Sequence, residues 1–228
     1  RSAVPLVAER SEYFAYNDVR TGSLCSPGAP APRGEWFFAE GTTRSFFDGY
    51  LTLFNPCRYA TWLKVRLIAS NGSVREEALG VGAGERKTLY LNAYLPADID
   101  YAVRVSSLLP VTAERVTYFQ SHNAMGGYCS GGVPEPRDRW FFPEGCTAQG
   151  FQEWLALFNP QTEEQVVEVA YVCGGGEEVE RSYLLPPEGR ISVDVSAEVG
   201  RRDEVSIEVS SRAGVVAERS LYFTRGGP

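Results

Sequence analysis

Side chains that commonly serve in catalysis and metal binding are scarce in this sequence. Its 228 residues include one histidine, His122, one methionine, Met125, and two lysines, Lys64 and Lys87. Histidine is the usual proton-transfer group near neutral pH and a frequent zinc ligand, so the composition argues against a histidine-based active site, and we expect neither metal nor cofactor. No hydrophobic run approaches the ~20 residues that span a bilayer. The formal net charge of −7 argues against a nucleic-acid partner.

An internal duplication organises most of the chain. From Trp36 onward the sequence matches the segment from Trp140 onward at a constant offset of 104 residues. Such a match is the signature of a repeated structural unit. The end of the unit, Val-x-Ala-Glu-Arg-x-x-Tyr-Phe, also occurs near the start of the chain, where it has no preceding body. We therefore divide the chain into a surplus strand with a linker (1–34), repeat 1 (35–120), a second linker (121–139) and repeat 2 (140–228).

Within each repeat the hydrophobic pattern has a period of two. Leu63, Val65 and Leu67 alternate with polar or outward residues, which predicts a strand with one buried face. Asn71-Gly72 follows directly and is typical of a hairpin turn. Further strands are predicted at 36–38, 49–54, 74–79, 85–91, 101–107 and 111–119, with a short helical turn within 92–98. About seven short strands per unit predict an all-β fold of two tandem immunoglobulin-like sandwiches joined by Gly/Pro-rich linkers.

Three blocks of repeat 1 carry a family resemblance: WFFAEGTT at 36–43, LTLFNP at 51–56, and PVTAER at 110–115 with Tyr118 and Phe119. They resemble the Trp-Tyr-Phe-Ala-Glu-Gly repeat found in tandem in secreted and surface proteins of bacteria, a family of unknown function. The resemblance covers nearly the whole chain. It implies extracellular or cell-surface β-sandwich modules strung in series and supplies no catalytic residue. The family's linker usually reads Trp-Thr-Gly-Gly-His, whereas this chain has a cysteine, Cys129, in that linker.

Five cysteines occur without a Cys-x-x-Cys pair, which argues against zinc ribbons and thioredoxin-like motifs. Cys25 and Cys129 occupy the same place in the two linkers. We predict that each clips its linker to the following unit, Cys25 to Cys57 and Cys129 to Cys146, and that Cys173 is a small buried side chain. Reduced cysteines and a bond between chains are the alternatives.

Carboxylates offer the one enzymatic interpretation. Glu40 and Glu144 follow aromatic strands at equivalent positions, and Asp48 is near the first, so a glycosidase-like carboxylate pair is conceivable. A glutamate duplicated in both units favours a structural role instead. We expect the repeated Glu-Arg steps to form cross-strand or inter-unit ion pairs with Arg86 and Arg190. The sequence thus predicts no enzyme activity.

Aromatic residues of repeat 1 suggest a binding surface. They have no aromatic counterparts in repeat 2, and if they cluster they would form a stacking platform for sugar rings: Tyr59, Trp62, Tyr90 and Tyr94. The alternative is that they are scattered or cover an interface between units.

The surplus strand suggests a mode of assembly. An unpaired apolar strand is adhesive, so it is expected to find an edge on a neighbouring chain or to open repeat 1. Its candidate assembly residues are Val4, Leu6, Val7, Glu9, Arg10, Tyr13 and Phe14. Donation to another copy would produce an open head-to-tail filament. The sequence therefore predicts a non-enzymatic extracellular structural module, a subunit of a fibre or stalk that associates with itself or with neighbouring surface modules. Adhesion or glycan binding is the alternative.

Overall fold

A computed structural model describes residues 4–121 and 124–223 as an all-β chain with two sandwich units. A five-residue helix, α1 (Val195–Val199), and two short 3-10 turns interrupt the strands. The strands are β1 (Glu9–Tyr16), β2 (Arg20–Pro27), β3 (Arg33–Phe38), β4 (Phe47–Phe54), β5 (Thr61–Ala69), β6 (Val74–Val81), β7 (Arg86–Tyr90), β8 (Tyr101–Ser121), β9 (Ala124–Gly131), β10 (Arg137–Phe142), β11 (Phe151–Phe158), β12 (Gln165–Cys173), β13 (Glu178–Leu185), β14 (Arg190–Asp194) and β15 (Val205–Phe223).

One long strand joins the two sheets of each unit. In unit 1, the first half of β8 pairs with β3 and β5, and β6 extends that sheet. The second half of β8 pairs with β4 and β9, and β7 extends the other sheet. In unit 2, the first half of β15 pairs with β10 and β12, and its second half pairs with β11. The strands predicted at 101–107 and 111–119 are thus one strand, which changes sheets around Pro110.

Each unit has its own hydrophobic core. Inward-facing residues of both sheets meet in unit 1, including Trp36, Phe38 and Leu51, and an equivalent set fills unit 2. The predicted helical turn is a 3-10 turn at Leu91–Ala93. The predicted two-repeat all-β sandwich is confirmed.

Three repeated motif residues hold loops in place. Asn55 is fully buried, and its amide donates to the carbonyls of Tyr59, Val81 and Gly82. Asn159 makes the equivalent three bonds in unit 2. The indole Nε1 of Trp36 donates to the carbonyl of Val111 at 2.8 Å, and Trp140 to that of Val215 at the same distance. The hydroxyls of Thr43 and Thr147 each donate to a backbone carbonyl and accept from a backbone N–H in a third pair of equivalent loops. The shared sequence blocks are therefore structural anchors.

The Gly/Pro-rich stretches predicted as linkers contain paired strands. β9 forms a hairpin with β8, and β2 forms one with β1. Glycine is needed in β9 because aromatic rings lie against its backbone: a Cβ at Gly127 would stand 2.9 Å from the ring of Phe14. Both stretches are extended, as Pro-rich segments favour, and the sequence pattern did not predict their backbone pairing.

Candidate functional site at the repeat junction

The two units meet at a buried interface, which we call the junction. Unit 1 contributes the ends of β3, β5 and β8, and unit 2 contributes the outer face of β11 and β15. The apolar part of the junction consists of Phe37, Ala39, Ile68 and Ala102 from unit 1 and Ala156, Phe158 and Val216 from unit 2. These residues form a hydrophobic cluster separate from the two cores, so the units bury apolar surface against each other.

Arg115 is the centre of the polar part of the junction. Its guanidinium is 2% exposed and binds two carboxylates, Glu40 of its own unit at 2.9 Å and Glu218 of unit 2 at 3.0 Å. Tyr128 donates to Glu40 at 2.8 Å, and Ser130 donates to Glu218 at 2.8 Å. One arginine on β8 therefore ties the segment after β3 to β15 through charge-assisted bonds.

Burial and charge oppose each other in this group. Burial raises the pKa of Glu40, although the guanidinium of Arg115 acts in the opposite direction. Burial also tends to lower the pKa of Arg115, but the carboxylates of Glu218 and Glu40 outweigh it, and the pKa lies above its usual value. The arginine stays charged and requires its carboxylates, because an uncompensated buried charge is costly.

A second arginine closes the junction from the unit 2 side. Arg190 on β14 is buried, 3.4 Å from Asp100 of unit 1, and it donates to the carbonyl of Ala39 at 3.3 Å. The hydroxyl of Ser192 donates to the same carboxylate at 2.9 Å. Burial lowers the pKa of Arg190, with Asp100 opposing the effect. Both buried arginines thus hold one unit against the other.

The same contact occurs a second time at the start of the chain. The hairpin β1–β2 lies on the outer face of β4, β8 and β9, where it occupies on unit 1 the place that β8–β9 occupies on unit 2. Arg10 binds Glu114 at 3.1 Å, as Arg115 binds Glu218. The rings of Phe14 and Tyr118 meet edge to face at 4.9 Å.

The aromatic pair has its equivalent at the junction, where Phe119 and Tyr222 meet edge to face at 5.0 Å. The hairpin adds contacts of its own: Tyr16 stacks on Tyr118 at 4.3 Å, and Arg20 forms an ion pair with Asp48. The contact between the hairpin and unit 1 therefore has a charged pair and an aromatic pair in the same positions as the junction between the two units. We count it as a second junction.

The prediction for the Glu-Arg steps was right about inter-unit pairing and wrong about the partner. Arg115 pairs with the glutamate of the next Glu-Arg step, whereas Arg190 pairs with Asp100. Arg86, the counterpart of Arg190, is exposed and donates to Thr88. The signal that could have found the partner is the repeat itself, which supplies an arginine and a glutamate in every copy.

The predicted assembly strand is paired within its own chain, so the premise of an unpaired strand is wrong. It forms β1 and pairs with β2. Of its named residues, Arg10 and Phe14 contact unit 1. The other five side chains are exposed, along the strand and before it: Val4, Leu6, Val7, Glu9 and Tyr13. In the described chain β2 is the one strand beside β1.

All five cysteines are free, and the two predicted disulfides are absent: Cys25 with Cys57, and Cys129 with Cys146. The thiols face separate partners. Cys57 contacts the carbonyl of Pro110 at 3.5 Å, Cys146 contacts that of Arg202 at 3.6 Å, and Cys25 is exposed on β2. Equivalent positions in two linkers did not place the cysteines beside the proposed partners.

The predicted aromatic platform does not form. Tyr94 packs against the core of unit 1. Tyr90 donates to Asp48 at 2.6 Å on the sheet that carries the hairpin, whereas Trp62 is exposed on β5 in the other sheet. Tyr59 is exposed in the loop after β4. Of the four aromatic residues, Trp62 is the one that lines a groove of about 640 Å³, which Lys64 and neighbouring residues also line.

The carboxylates proposed as an acid pair are held by arginines. Glu40 binds Arg115, and Asp48 binds Arg20 and Tyr90. Glu144 binds Arg219 at 3.1 Å. His122 lies outside the described residues. In the parts of the chain that the structure covers, no cluster of three metal-binding side chains occurs. Nor does any helix there have the length and apolarity needed to span a membrane.

No protein-family model matches this chain, and no curated protein matches it. It matches a number of solved structures, among them the following three. One of them is described as Thermotoga maritima 1070. It is 14% identical with a TM-score of 0.43, and the matched part is 46% of this chain and 96% of that chain. The Anabaena sensory rhodopsin transducer is 20% identical, with a TM-score of 0.34, over 38% of this chain and 97% of its own. The PBSX exported protein XepA is 10% identical, with a TM-score of 0.29, over 94% of this chain and 86% of its own. TM-scores this low establish no shared fold.

Proposed function

We propose that this chain is a non-enzymatic structural module whose sandwich units stack in one fixed orientation to build an extracellular rod or stalk. The observation that supports it is the recurrence of one contact at two successive junctions, Arg10 with Glu114 and Arg115 with Glu218. The resemblance to tandem repeats of bacterial surface proteins supports the extracellular part of the proposal.

The chemistry of the junction suits a rigid connection. Domains joined by small polar interfaces move relative to each other by default. Here Arg115 is buried between Glu40 and Glu218, and separating the units would leave Arg115 without one of its two carboxylates. Separation would also expose the apolar cluster of the junction to water, which disfavours it. A module that spaces other parts of a surface protein needs such resistance to bending.

Glu218→Lys tests the rigidity, because it places a cation beside Arg115. We expect the wild-type units to align as one body in residual dipolar couplings and the variant units to align separately. Glu208→Lys is the matched control: Glu208 is on the same strand, is partly exposed and pairs with Arg139 outside the junction. Independent alignment of the two wild-type units would refute the proposal. Antibody labelling of intact producing cells would test the extracellular location separately.

Carbohydrate binding is a second candidate, confined to Trp62. Its indole is 64% exposed and lies over Gly80 beside the groove described above. A flat, exposed ring next to hydrogen-bonding side chains such as Arg66 and Glu76 suits a sugar ring. We expect glycan-array binding that Trp62→Ala abolishes and Tyr59→Ala preserves. The absence of binding to any glycan would exclude this candidate.

A further inference from the structure

A cleft of about 340 Å³ lies at the junction, between the two units. Its floor is the outer face of β11, β14 and β15 of unit 2, and its wall is formed by residues of unit 1. Pockets that bind small ligands have volumes from about 300 Å³ upward, so a cleft of this size has room for a single ring. The floor includes Gln152, Trp154 and Tyr222, and the wall includes Arg44, Phe47 and Asp100.

The equivalent place on unit 1 is filled by Tyr16 of the hairpin β1–β2. The ring of Tyr16 stacks on that of Tyr118, with centroids 4.3 Å apart and an interplanar angle of 9°. Its hydroxyl lies 2.8 Å from the hydroxyl of Tyr50. Tyr118 and Tyr50 are the counterparts of Tyr222 and Trp154, two residues of the floor. The face of unit 1 that corresponds to the floor of the cleft therefore holds a phenol ring.

At the junction the position of Tyr16 belongs to a serine. Tyr16 is the last residue of β1 to pair with β2, and the last residue of β8 to pair with β9 is Ser121. A serine carries no ring. Phe47 of unit 1 meets Tyr222 edge to face at 5.9 Å, and the cleft remains beside these two rings. The cleft thus corresponds to the space that the ring of Tyr16 occupies on unit 1.

The charged side chains around Asp100 are paired with one another. Asp100 binds Arg44 at 3.3 Å and Arg190 at 3.4 Å, and it accepts from the hydroxyl of Ser192. The guanidinium of Arg44 also lies 5.7 Å from the ring centroid of Trp154. An ion that entered the cleft would lose water without gaining a free counter-charge from this group, which is unfavourable. A neutral ring therefore suits the cleft better than an ion.

The floor offers hydrogen bonds to a hydroxyl group. Gln152 is the counterpart of Asp48, which accepts from the hydroxyl of Tyr90 at 2.6 Å on unit 1. A glutamine amide both donates and accepts, and the indole N–H of Trp154 donates. Aromatic rings and polar groups thus line the same cleft, and a buried phenol needs both, because its ring is apolar and its hydroxyl requires a partner.

We propose that the cleft at the junction binds a phenol ring, the chemical group of a tyrosine side chain. The ring lies against Trp154 and Tyr222 as Tyr16 lies against Tyr50 and Tyr118. A tyrosine of a partner protein and a free small phenol share this chemistry. The inference goes beyond the proposed stacking function, which requires no ligand. Because the ligand contacts both units, its binding stabilises the junction against separation.

Titration of the full chain with p-cresol, which is the tyrosine side chain alone, tests the site by NMR. We expect saturable shifts at the cleft and nuclear Overhauser effects from the ring protons of p-cresol to Trp154 and Tyr222. Toluene lacks the hydroxyl and should bind about tenfold more weakly, because it leaves polar groups of the floor unpaired. N-acetyl-L-tyrosinamide distinguishes the sources: tighter binding than p-cresol supports a tyrosine of a partner protein, and equal or weaker binding supports a small phenol.

Two variants assign the binding to the floor. Trp154→Ala should raise the dissociation constant of p-cresol at least about tenfold, because a ring contact is lost. Trp62→Ala is the matched control, since Trp62 is exposed on β5, away from the cleft. Gln152→Leu, at a partly exposed position, should weaken p-cresol to the level of toluene.

Three results would overturn the inference: no saturable binding of p-cresol, equal binding of p-cresol and toluene, or binding that Trp154→Ala and Gln152→Leu leave unchanged in folded protein. Methyl glucoside that binds where p-cresol does not would overturn it as well and indicate a sugar instead. The alignment of the two units is measured without ligand, so a failure here leaves the proposed rod standing.

Discussion

Glu153 makes the stability of unit 2 depend on pH. It lies on β11 at the position of Gly49 in unit 1, where the hydroxyl group of Tyr101 fills the space of a side chain. The carboxylate is 0% exposed, and burial raises its pKa from 4.5 to about 7, with Arg219 opposing the effect. The folded protein therefore holds the proton of Glu153 more tightly than the unfolded chain does.

The magnitude is set by the two pKa values. Each unit of pKa difference is worth about 1.4 kcal/mol. Between pH 4.5 and about 7 the folded state binds more protons at this group, so its contribution to the free energy of unfolding falls as the pH rises. Above pH 7 this group has lowered the free energy of unfolding by about 3 kcal/mol, and below pH 4.5 it has not lowered it.

Glu153→Gln removes this dependence, because the amide does not ionise. We expect the unfolding free energy of the variant minus that of the wild type to rise by about 3 kcal/mol from pH 4.5 to above pH 7. Urea unfolding followed by tryptophan fluorescence at a series of pH values measures it. Titration of other groups, Glu40 included, cancels in the difference. Exposed Glu164 supplies the control, Glu164→Gln. A difference that is independent of pH would refute the burial argument.

Two further predictions concern the loop anchors and the thiols. Asn159→Ala leaves three carbonyls without their donor, and we expect a loss of about 2–4 kcal/mol in urea unfolding, whereas alanine at exposed Thr162 should change little. Cys25 is exposed and Cys173 is buried, so a thiol reagent should modify Cys25 in the native protein and reach Cys173 only after unfolding. Native protection of Cys25 would contradict the placement of β2.

The strand pattern could be predicted because burial on one face imposes a period of two. Leu63, Val65 and Leu67 face the core as expected. The continuity of β8 could not be read in this way, because Pro110 has no backbone N–H and normally interrupts a strand. Here Pro110 stands at the crossing between sheets, after the pairs with β5 end at Ser107 and before those with β4 begin at Thr112.

The strand pairing within the linkers could not be predicted because glycine has two uses. A Gly/Pro-rich segment is typical of a flexible connector, but glycine also permits close approach by a neighbouring ring. A Cβ at Gly132 would stand 2.7 Å from the ring of Phe38 and 3.2 Å from the Cβ of Trp36. Only the three-dimensional packing distinguishes these uses, and the same holds for the cysteines, whose partners depend on strand placement.

The polarity of stacking is determined by the repeated Glu-Arg step itself. Neighbouring residues of a strand point to opposite faces, so Glu114 faces the hairpin while Arg115 reaches toward unit 2. Each unit thus presents a glutamate to its N-terminal neighbour and an arginine to its C-terminal neighbour. Reversing one unit would set carboxylate against carboxylate and guanidinium against guanidinium, which like-charge repulsion disfavours. The Glu-Arg step therefore favours head-to-tail stacking, together with the Arg190–Asp100 pair and the apolar cluster of the junction.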